Sequence, residues 1–265
     1  MNAIRKLARG DSGWQIESIA APQASHRDMS LIVSSVLLPP AVENAAFLVG
    51  CDARSPDDRY AGWGLPAEKV ETLRADMLPL SGEPVEIGAL LLPAMAMAAA
   101  LNAVLPAQRA AVLGKGLLAA LAEEILRSHH VQIETVQSAA ALPLIVDTSG
   151  EPSTWSNALG SLSAEGAILL VVPPTPTKTD FNFYPHVHRL SLRVIARHWH
   201  RLPPPDERVD HESLIGIISN ILDREQLLRS LSLNDSPAES QQWQFFNWAN
   251  CQDRQEAGTS NGESS

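Results

Sequence analysis

Strand-like and helix-like segments alternate between residues 110 and 196, and this alternation limits the possible folds more than any other feature. Residues 110–113 and 167–172 are apolar throughout, and residues 144–146 begin a further strand that ends in Asp147. A strand that is apolar on both faces is typical of a parallel sheet covered by helices on both sides. The sequence therefore predicts an α/β fold with a mostly parallel sheet in this half of the chain.

A glycine turn joins the first of these strands to a helix predicted over residues 117–128. Gly114 allows a tight turn, and Gly116 lets a pyrophosphate group approach the backbone. Ala119 occupies the position of the third glycine and lets the helix pack on the strand. Lys115 adds a positive charge. The N–H groups at the helix start would hold the phosphates of a dinucleotide. A plain strand–turn–helix junction that binds no ligand is equally compatible with the pattern.

The charge balance and the cysteine content exclude several classes of function. The chain has 265 residues, with 20 Lys and Arg against 30 Asp and Glu, and a formal net charge of −10. A protein that binds nucleic acid without sequence preference needs a basic face, so we expect no nucleic-acid partner. Cys51 and Cys251 are too far apart in sequence to suggest a metal knuckle or a disulfide framework. No apolar segment follows the basic start, so we expect no signal peptide and a cytoplasmic protein.

Residues 87–105 are uncharged over almost the length of a membrane span. Pro93 interrupts the segment, and its alanines contribute little to membrane insertion. We therefore predict no membrane span, and instead a buried helix over residues 93–105 with Pro93 in its first turn.

The first half of the chain carries weaker signals. Residues 30–38 are rich in Val, Ile and Leu and predict a strand that two prolines end. Residues 41–49 have weak helical character, and the charges, prolines and glycines of residues 51–66 predict a loop.

Four segments resemble, in order and spacing, the medium-chain dehydrogenase/reductase family of the zinc alcohol dehydrogenase type. Residues 93–103 resemble the helix before that family's cofactor domain, and residues 110–116 resemble its first strand and glycine turn. Residues 144–152 are similar to the strand and turn beside the nicotinamide, and residues 159–172 resemble the next helix and strand. The resemblance extends over roughly residues 30–223 and implies a dinucleotide-binding fold.

The same resemblance implies how the chain is organised. It gives a truncated β-rich, GroES-like lobe over residues 1–90 and a shortened Rossmann-like, parallel-sheet, nucleotide-binding lobe over residues 91–210. A C-terminal helix in residues 211–233 would return to the N-terminal lobe. Residues 234–265 are polar and acidic, which predicts a largely disordered tail.

Compared with the family pattern, the chain lacks the residues that bind zinc. Ala41 stands where the catalytic zinc cysteine belongs, and Asn44 stands where its acidic neighbour belongs. The Gly-His-Glu segment expected after Gly50 is missing, and so is the four-cysteine structural zinc lobe. A catalytic zinc ion needs three protein ligands, so the resemblance implies a protein without zinc.

The second strand of the cofactor domain also departs from the pattern. The family places an acid at its end to bind the adenosine ribose, and the corresponding residue here is Gln137. Glu134 lies in the middle of this strand, where we expect a solvated charge. The segment between Gln137 and Leu144 is too short for the helix, strand and helix of the family. We therefore expect NAD or NADP to bind weakly, if either binds at all.

The resemblance implies a zinc-independent, NAD(P)-dependent oxidoreductase that acts on a small molecule. Thr148 and Gly150 would lie beside the nicotinamide. Asp147, as a general base, and Ser149 are catalytic candidates in the same turn, although Asp147 is also typical of a capping or turn residue. Tyr60 would donate a proton near the substrate. The alternative is a non-redox pseudoenzyme of the same fold that serves a partner subunit or binds another ligand.

Two histidine pairs have a spacing that can chelate a transition metal, His186 with His188 and His198 with His200. Beside arginines at a strand end, such residues are also typical of an ordinary surface, and we assign no metal to them.

Two segments predict contacts with protein. The aromatic residues Trp243, Phe245, Phe246 and Trp248 stand in a polar tail and should dock either on their own domain or on a protein partner. Residues 190–196 resemble the outermost strand of the family's sheet, through which members commonly dimerise. We therefore predict a homodimer paired along this edge. The alternative is a monomer in which the tail or the loop around Trp199 covers the edge.

Overall fold

The computed structural model describes residues 3–10, 13–20, 29–39, 45–136, 141–171, 184–224, 228–230 and 243–248. By its internal contacts the chain divides into two compact units, Met1–Leu92 with Gln226–Ser265, and Pro93–Glu225. The first unit is β-rich and the second contains a parallel sheet, which confirms the predicted fold class.

The helices and strands are numbered in chain order. They are β1 (Ala3–Gly10), β2 (Gly13–Ala20), β3 (Met29–Leu38), β4 (Ala46–Asp52), β5 (Ser55–Gly64), β6 (Lys69–Thr72), β7 (Leu78–Leu80), α1 (Val85–Asn102), β8 (Arg109–Leu113), α2 (Leu117–Ser128), β9 (Gln132–Glu134), β10 (Leu142–Asp147), α3 (Trp155–Gly160), β11 (Leu162–Leu170), β12 (Arg193–Ala196), α4 (His211–Arg224), β13 (Leu228–Ser230) and β14 (Trp243–Asn247).

The first unit is built around β3. Leu31 and Val33 are buried while Ile32 and Ser34 face outward, as a strand with one buried face requires. Its sheet has the order β13-β14-β3-β4-β5-β7, and β6 also pairs with β3. One edge of β3 pairs with β4, and its other edge is shared between β6 and β14. The hairpin β1–β2 forms a separate two-stranded sheet.

The second unit contains five parallel strands in the order β12-β11-β10-β8-β9. Helix α2 packs against β8, β9 and α4. It buries Leu117, Leu121 and Ile125 at helical spacing, and it begins and ends as the sequence predicts. Strands β8, β10 and β11 are covered on both faces, so an uninterrupted apolar run was sufficient to predict each of them.

Helix α1 accounts for the long uncharged segment. By length and composition it is the one described helix that could cross a membrane, and 78% of that span is buried inside the protein. Burial of Leu90, Met95 and Leu101 explains its apolar composition. The expected position of Pro93 in the first turn is wrong, because the helix begins at Val85 and Pro93 lies inside it.

Two segments of the first unit differ from the sequence-based expectation. The segment predicted as weakly helical contains β4, and the predicted loop over residues 51–66 contains β5. These strands pair antiparallel, with Phe47 opposite Trp63. The charged residues that suggested a loop are confined to the first half of β5, whereas Tyr60 and Ala61 are buried. Residues 41–44 lie outside the described residues.

The C-terminal helix belongs to the second unit, which corrects its expected return to the N-terminal lobe. Helix α4 packs on α2 and buries Leu214, Ile218 and Ile221 along one stripe. The strands β13 and β14, and not this helix, bring the end of the chain into the first unit.

Residues 243–248, the aromatic segment expected to dock either on its own domain or on a partner, contain strand β14. All four aromatic side chains of this segment are buried, and the Trp248 N–H donates to the Ser34 carbonyl at 2.9 Å. Trp243 stacks on Phe47 with ring centroids 5.9 Å apart. The Arg5 guanidinium carbon lies 5.6 Å from the ring centroid of Trp248. The cluster therefore docks on its own unit.

Truncation tests the contribution of β14 to stability. We expect a chain that ends before Trp243 to melt more than about 5 °C below the full chain. In that chain Phe246 and Trp248 are absent from the core, and one edge of β3 loses its partner. A chain that ends at Ala249 keeps β14 and should melt like the full chain. Equal melting of the two truncated chains in calorimetry would contradict this role.

Candidate functional site

The topology of the second unit creates a crevice at the carboxyl ends of β8 and β10. From β8 the chain runs first to β9 on one side and later to β10 on the other. Open parallel sheets bind ligands at such a reversal of strand order. The turn at Gly114 follows β8, and Thr148, Ser149 and Gly150 follow β10, so both predicted groups of residues flank this crevice.

Gly114 is where the two loops come closest. Its φ is 111°, and a Cβ atom would lie 2.4 Å from Thr148 Oγ1 and 3.0 Å from the Ser149 nitrogen. The N–H and the hydroxyl of Thr148 both donate to the Leu113 carbonyl, at 2.8 and 2.7 Å. Only glycine fits here, so the loops after β8 and β10 are locked together.

The space at the Cβ position of Gly116 is empty, whereas the same space at Gly114 is filled. Its φ is 79°, and no atom lies within 4 Å of the position that a Cβ would take. It is the N-cap residue of α2, and no side chain caps the helix there. The first N–H groups of a helix have no partner within it and attract anions. This turn therefore fits a phosphate group.

The other two residues of the turn are Ala119 and Lys115. Ala119 is buried beneath the first turn of α2, and Lys115 is exposed beside the two glycines. An exposed ammonium group at this position adds positive potential to that of the helix N-terminus.

Asp147 has a structural role in this turn. Its side chain is fully buried, and Oδ1 accepts from the Ser149 N–H at 2.8 Å and from the Ser149 hydroxyl at 2.6 Å. Oδ2 accepts from the indole N–H of Trp155 at 2.8 Å. A buried carboxylate with both oxygens bonded holds the loop after β10 in one shape.

Ser149 is engaged in the same turn. Its hydroxyl donates to Asp147 and accepts from the Glu151 N–H at 3.1 Å. The Ser149 hydroxyl therefore takes part in the structure of the turn, and its catalytic role remains a prediction. Gly150 follows with a φ of 66° and is buried. A left-handed backbone at this position is what turns the chain away from the sheet.

Tyr60 lies on β5 in the core of the first unit and is tied to two charged side chains. Its hydroxyl accepts from Arg74, which also forms an ion pair with the buried Asp52. The Arg74 guanidinium carbon lies 5.2 Å from the centroid of the Tyr60 ring. These contacts give Tyr60 a structural role in β5, and proton donation by Tyr60 is not supported.

Glu134 is not the solvated charge that the sequence suggested. Its carboxylate is largely buried and pairs with Arg109 Nη1 at 3.2 Å. Glu134 lies opposite Ala111, two residues before the end of β8. Its ion pair with Arg109, at the start of β8, holds the carboxylate away from the crevice. Gln137, the expected ribose contact, lies outside the described residues.

The positions expected to have lost zinc ligands, Ala41 and Asn44, also lie outside the described residues. Cys51 is on β4 and half-buried. In the part of the chain that the structure describes, no group of three or more His, Cys, Asp and Glu side chains is arranged to hold a metal ion.

Sequence reasoning missed two residues that hold predicted site residues in place. Trp155, at the start of α3, fixes Asp147, and its position eight residues after the strand end gives no local signal of that contact. Arg74 comes from a single helical turn and engages Tyr60 through a contact between distant segments. Both interactions depend on the folded arrangement and not on spacing.

Comparisons with known proteins support the fold and no narrower assignment. No protein-family profile matches the chain. No curated protein matches it in sequence either. Among solved structures, it is similar to a short chain alcohol dehydrogenase from E. coli CFT073 complexed with NADH, with a TM-score of 0.68 and 11% identity over 93% of this chain and 99% of that one.

Two further structures give the same result. Acetophenone reductase from Geotrichum candidum, in complex with NAD, has a TM-score of 0.68 at 9% identity over 92% of this chain and 97% of that one. Galactitol-1-phosphate dehydrogenase from Escherichia coli has a TM-score of 0.62 at 15% identity over 93% of this chain and 100% of that one. The chain therefore has the fold of alcohol and polyol dehydrogenases, with a Rossmann-like parallel sheet and a β-rich lobe.

A double-mutant cycle tests the role of Asp147. Asp147→Asn replaces one accepting oxygen by an amide NH₂ group, which then faces an N–H or O–H donor and cannot accept from it. This change should lower the free energy of unfolding by about 1–3 kcal/mol. Trp155→Phe removes the indole donor and should cost a similar amount. In the double variant the amide no longer faces the indole, so we expect a loss smaller than the sum. Additive losses in denaturant titrations would show that the two side chains do not act together.

Proposed function

We propose that this chain binds a nicotinamide dinucleotide, NAD or NADP, at the Gly114–Ala119 turn and is a zinc-independent oxidoreductase-like protein for a small-molecule substrate. The observation that carries this proposal is the open side of Gly116 at the start of α2, beside the reversal of strand order. A phosphate fits there because the backbone comes close to it without an intervening Cβ.

The residues of the crevice would divide the work of binding. The N–H groups at the start of α2 and the Lys115 ammonium would hold the pyrophosphate. The loop of Thr148, Ser149 and Gly150, locked against Gly114, would form the wall beside the nicotinamide. A bound nicotinamide supplies hydride-transfer chemistry, and the protein's part is to orient it and keep water away.

A second candidate function is a non-redox protein of the same fold that binds a ligand or a partner subunit. This candidate is favoured because the three residues expected to be catalytic use their polar groups in structural hydrogen bonds. They are Asp147, Ser149 and Tyr60. The two candidates differ in turnover, and the second need not bind a nicotinamide dinucleotide. Reduction of a panel of aldehydes and ketones, followed by NADH absorbance, distinguishes them.

Titration with NADH and NADPH, followed by nucleotide fluorescence, tests the proposed site. We expect a dissociation constant of about 0.1 mM or weaker, since the shortened adenine pocket loses two or three polar contacts of about 1–1.5 kcal/mol each. Gly116→Ala places a methyl group in the space of the phosphate and should weaken binding at least about tenfold.

Gly82→Ala is the matched control for this titration. Gly82 also has a positive φ, of 100°, and open space at its Cβ position, but it lies in the first unit. Both variants carry backbone strain, and only Gly116→Ala should change the affinity. Equal affinities in the two variants would place the nucleotide elsewhere, and submicromolar binding would show that another segment completes the adenine pocket.

The proposal also includes the absence of a catalytic zinc ion. Ala41 offers a methyl group where the family pattern has a thiolate ligand, so a three-ligand site cannot form there. We expect elemental analysis of protein dialysed against a chelator to find far less than one zinc per chain. One tightly held zinc per chain would contradict this.

We propose in addition that two copies pair along β12. This strand is at the edge of its sheet, and Val194 is 47% exposed. Arg197 donates its N–H to Leu170 of β11, and N–H groups alternate along a strand, so the Val194 N–H faces the open edge.

Val194→Pro should convert a dimer to a monomer in light scattering without unfolding the sheet, because it removes an outward donor only. Ile195→Pro is the contrasting control, since its N–H faces β11 and its loss should lower the melting temperature. A monomeric unmodified protein, or a dimer that survives Val194→Pro, would show that β12 is not the interface.

A further inference from the structure

The segment His198–Trp199–His200 lies at the carboxyl end of β12 and is not used by the proposed nucleotide site. Trp199 is buried, whereas His198 is exposed and His200 half-buried. The backbone enters the segment on a fixed path, because the Arg197 N–H donates to the Leu170 carbonyl at 2.9 Å. The two imidazole rings lie with their centroids 5.4 Å apart and their planes tilted by 55°.

We propose that His198 and His200 form a two-imidazole chelate for a divalent transition-metal ion of the copper, nickel and zinc group. Neither side chain is required for the proposed nucleotide binding, so this inference stands apart from the proposed function. Imidazole nitrogens are the ligands that these ions prefer over the oxygen ligands suited to Mg²⁺ and Ca²⁺.

The separation of the two rings matches the geometry of such a chelate. A metal ion bonded to one nitrogen of each ring at about 2.0–2.1 Å lies about 3.2 Å from each ring centroid. Two centroids 5.4 Å apart then subtend an angle of about 115° at the metal, close to a tetrahedral arrangement. The tilt of the rings keeps them from stacking on each other, so both can direct a nitrogen to a shared ion.

The buried tryptophan between the histidines explains why the pair is held together. Trp199 anchors the centre of the segment, and its ring packs edge-on against His200 with centroids 5.7 Å apart and an interplanar angle of 88°. The segment bends here, because the Arg201 N–H donates to the His198 carbonyl at 3.5 Å across a turn with Trp199 and His200 at its centre. His198 is exposed and His200 is half-buried at this turn, where water molecules can fill the remaining coordination positions of a metal ion.

The charges around the pair set its expected strength. Arg201 opposes an approaching cation, while the charge of Arg197 is offset by Glu207 at 3.9 Å. With two protein ligands and one opposing charge, we expect reversible, micromolar binding and not a permanently loaded site.

Calorimetric titration of the full, chelator-treated chain with Ni²⁺ tests the proposal. We expect one Ni²⁺ per chain with micromolar affinity, and no heat with Mg²⁺. His198→Ala and His200→Ala should each weaken Ni²⁺ binding at least about tenfold, because each leaves a single imidazole. Absence of Ni²⁺ binding up to about 1 mM, or His198→Ala with unchanged affinity, would overturn the proposal.

The double variant His129→Ala/His130→Ala is the matched control. These two exposed histidines follow α2 and are consecutive in sequence, and their removal should leave Ni²⁺ binding unchanged. A loss of binding in this control would move the site away from His198 and His200. His198 is exposed, so its variant remains informative even where His200→Ala disturbs the packing on Trp199.

Trp199 provides a second readout. Cu²⁺ bound to His200 would lie close to the indole and quench its fluorescence, so Cu²⁺ should reduce the emission of the unmodified chain more than that of Trp199→Phe. Equal quenching in both chains would contradict binding at this pair.

Discussion

The two hydrogen bonds from Thr148 to the Leu113 carbonyl join the carboxyl ends of β8 and β10. They can form only because Gly114 has no Cβ atom in the space that the Thr148 hydroxyl occupies. This contact fixes where the chain leaves β8, and therefore where Gly116 and the first turn of α2 stand. The open space at the Cβ position of Gly116 lies in the turn that the close contact at Gly114 fixes.

The parts of this fold that could be predicted from sequence are those with a local cause. Strands β8, β10 and β11 lie between helices, so their apolar runs are sufficient evidence, and glycine at 114 and 116 reflects a backbone requirement of the turn itself. Strands β4 and β5 could not be predicted in the same way. Their stability comes from pairing with each other and with β3, and the Asp57 and Asp58 side chains of β5 are exposed, where their charges cost little.

The same distinction applies to the candidate site. The residue types at the end of β10 predict a polar turn, but their hydrogen bonds decide what that turn can do. The Asp147 carboxyl group accepts from Ser149 and Trp155, and these two contacts hold the loop after β10 in one shape. Sequence alone could not separate that role from proton transfer, since Trp155 meets Asp147 only in the folded unit.

The pairing of β14 with β3 has a consequence for synthesis on the ribosome. Leu38 pairs in register with Gln244, so this edge of β3 has to wait until residue 244 has been translated. The parallel sheet between them is encoded by continuous sequence and is complete before that point. The second unit can thus assemble before the first, whose strands β3 and β14 pair across a far larger sequence separation.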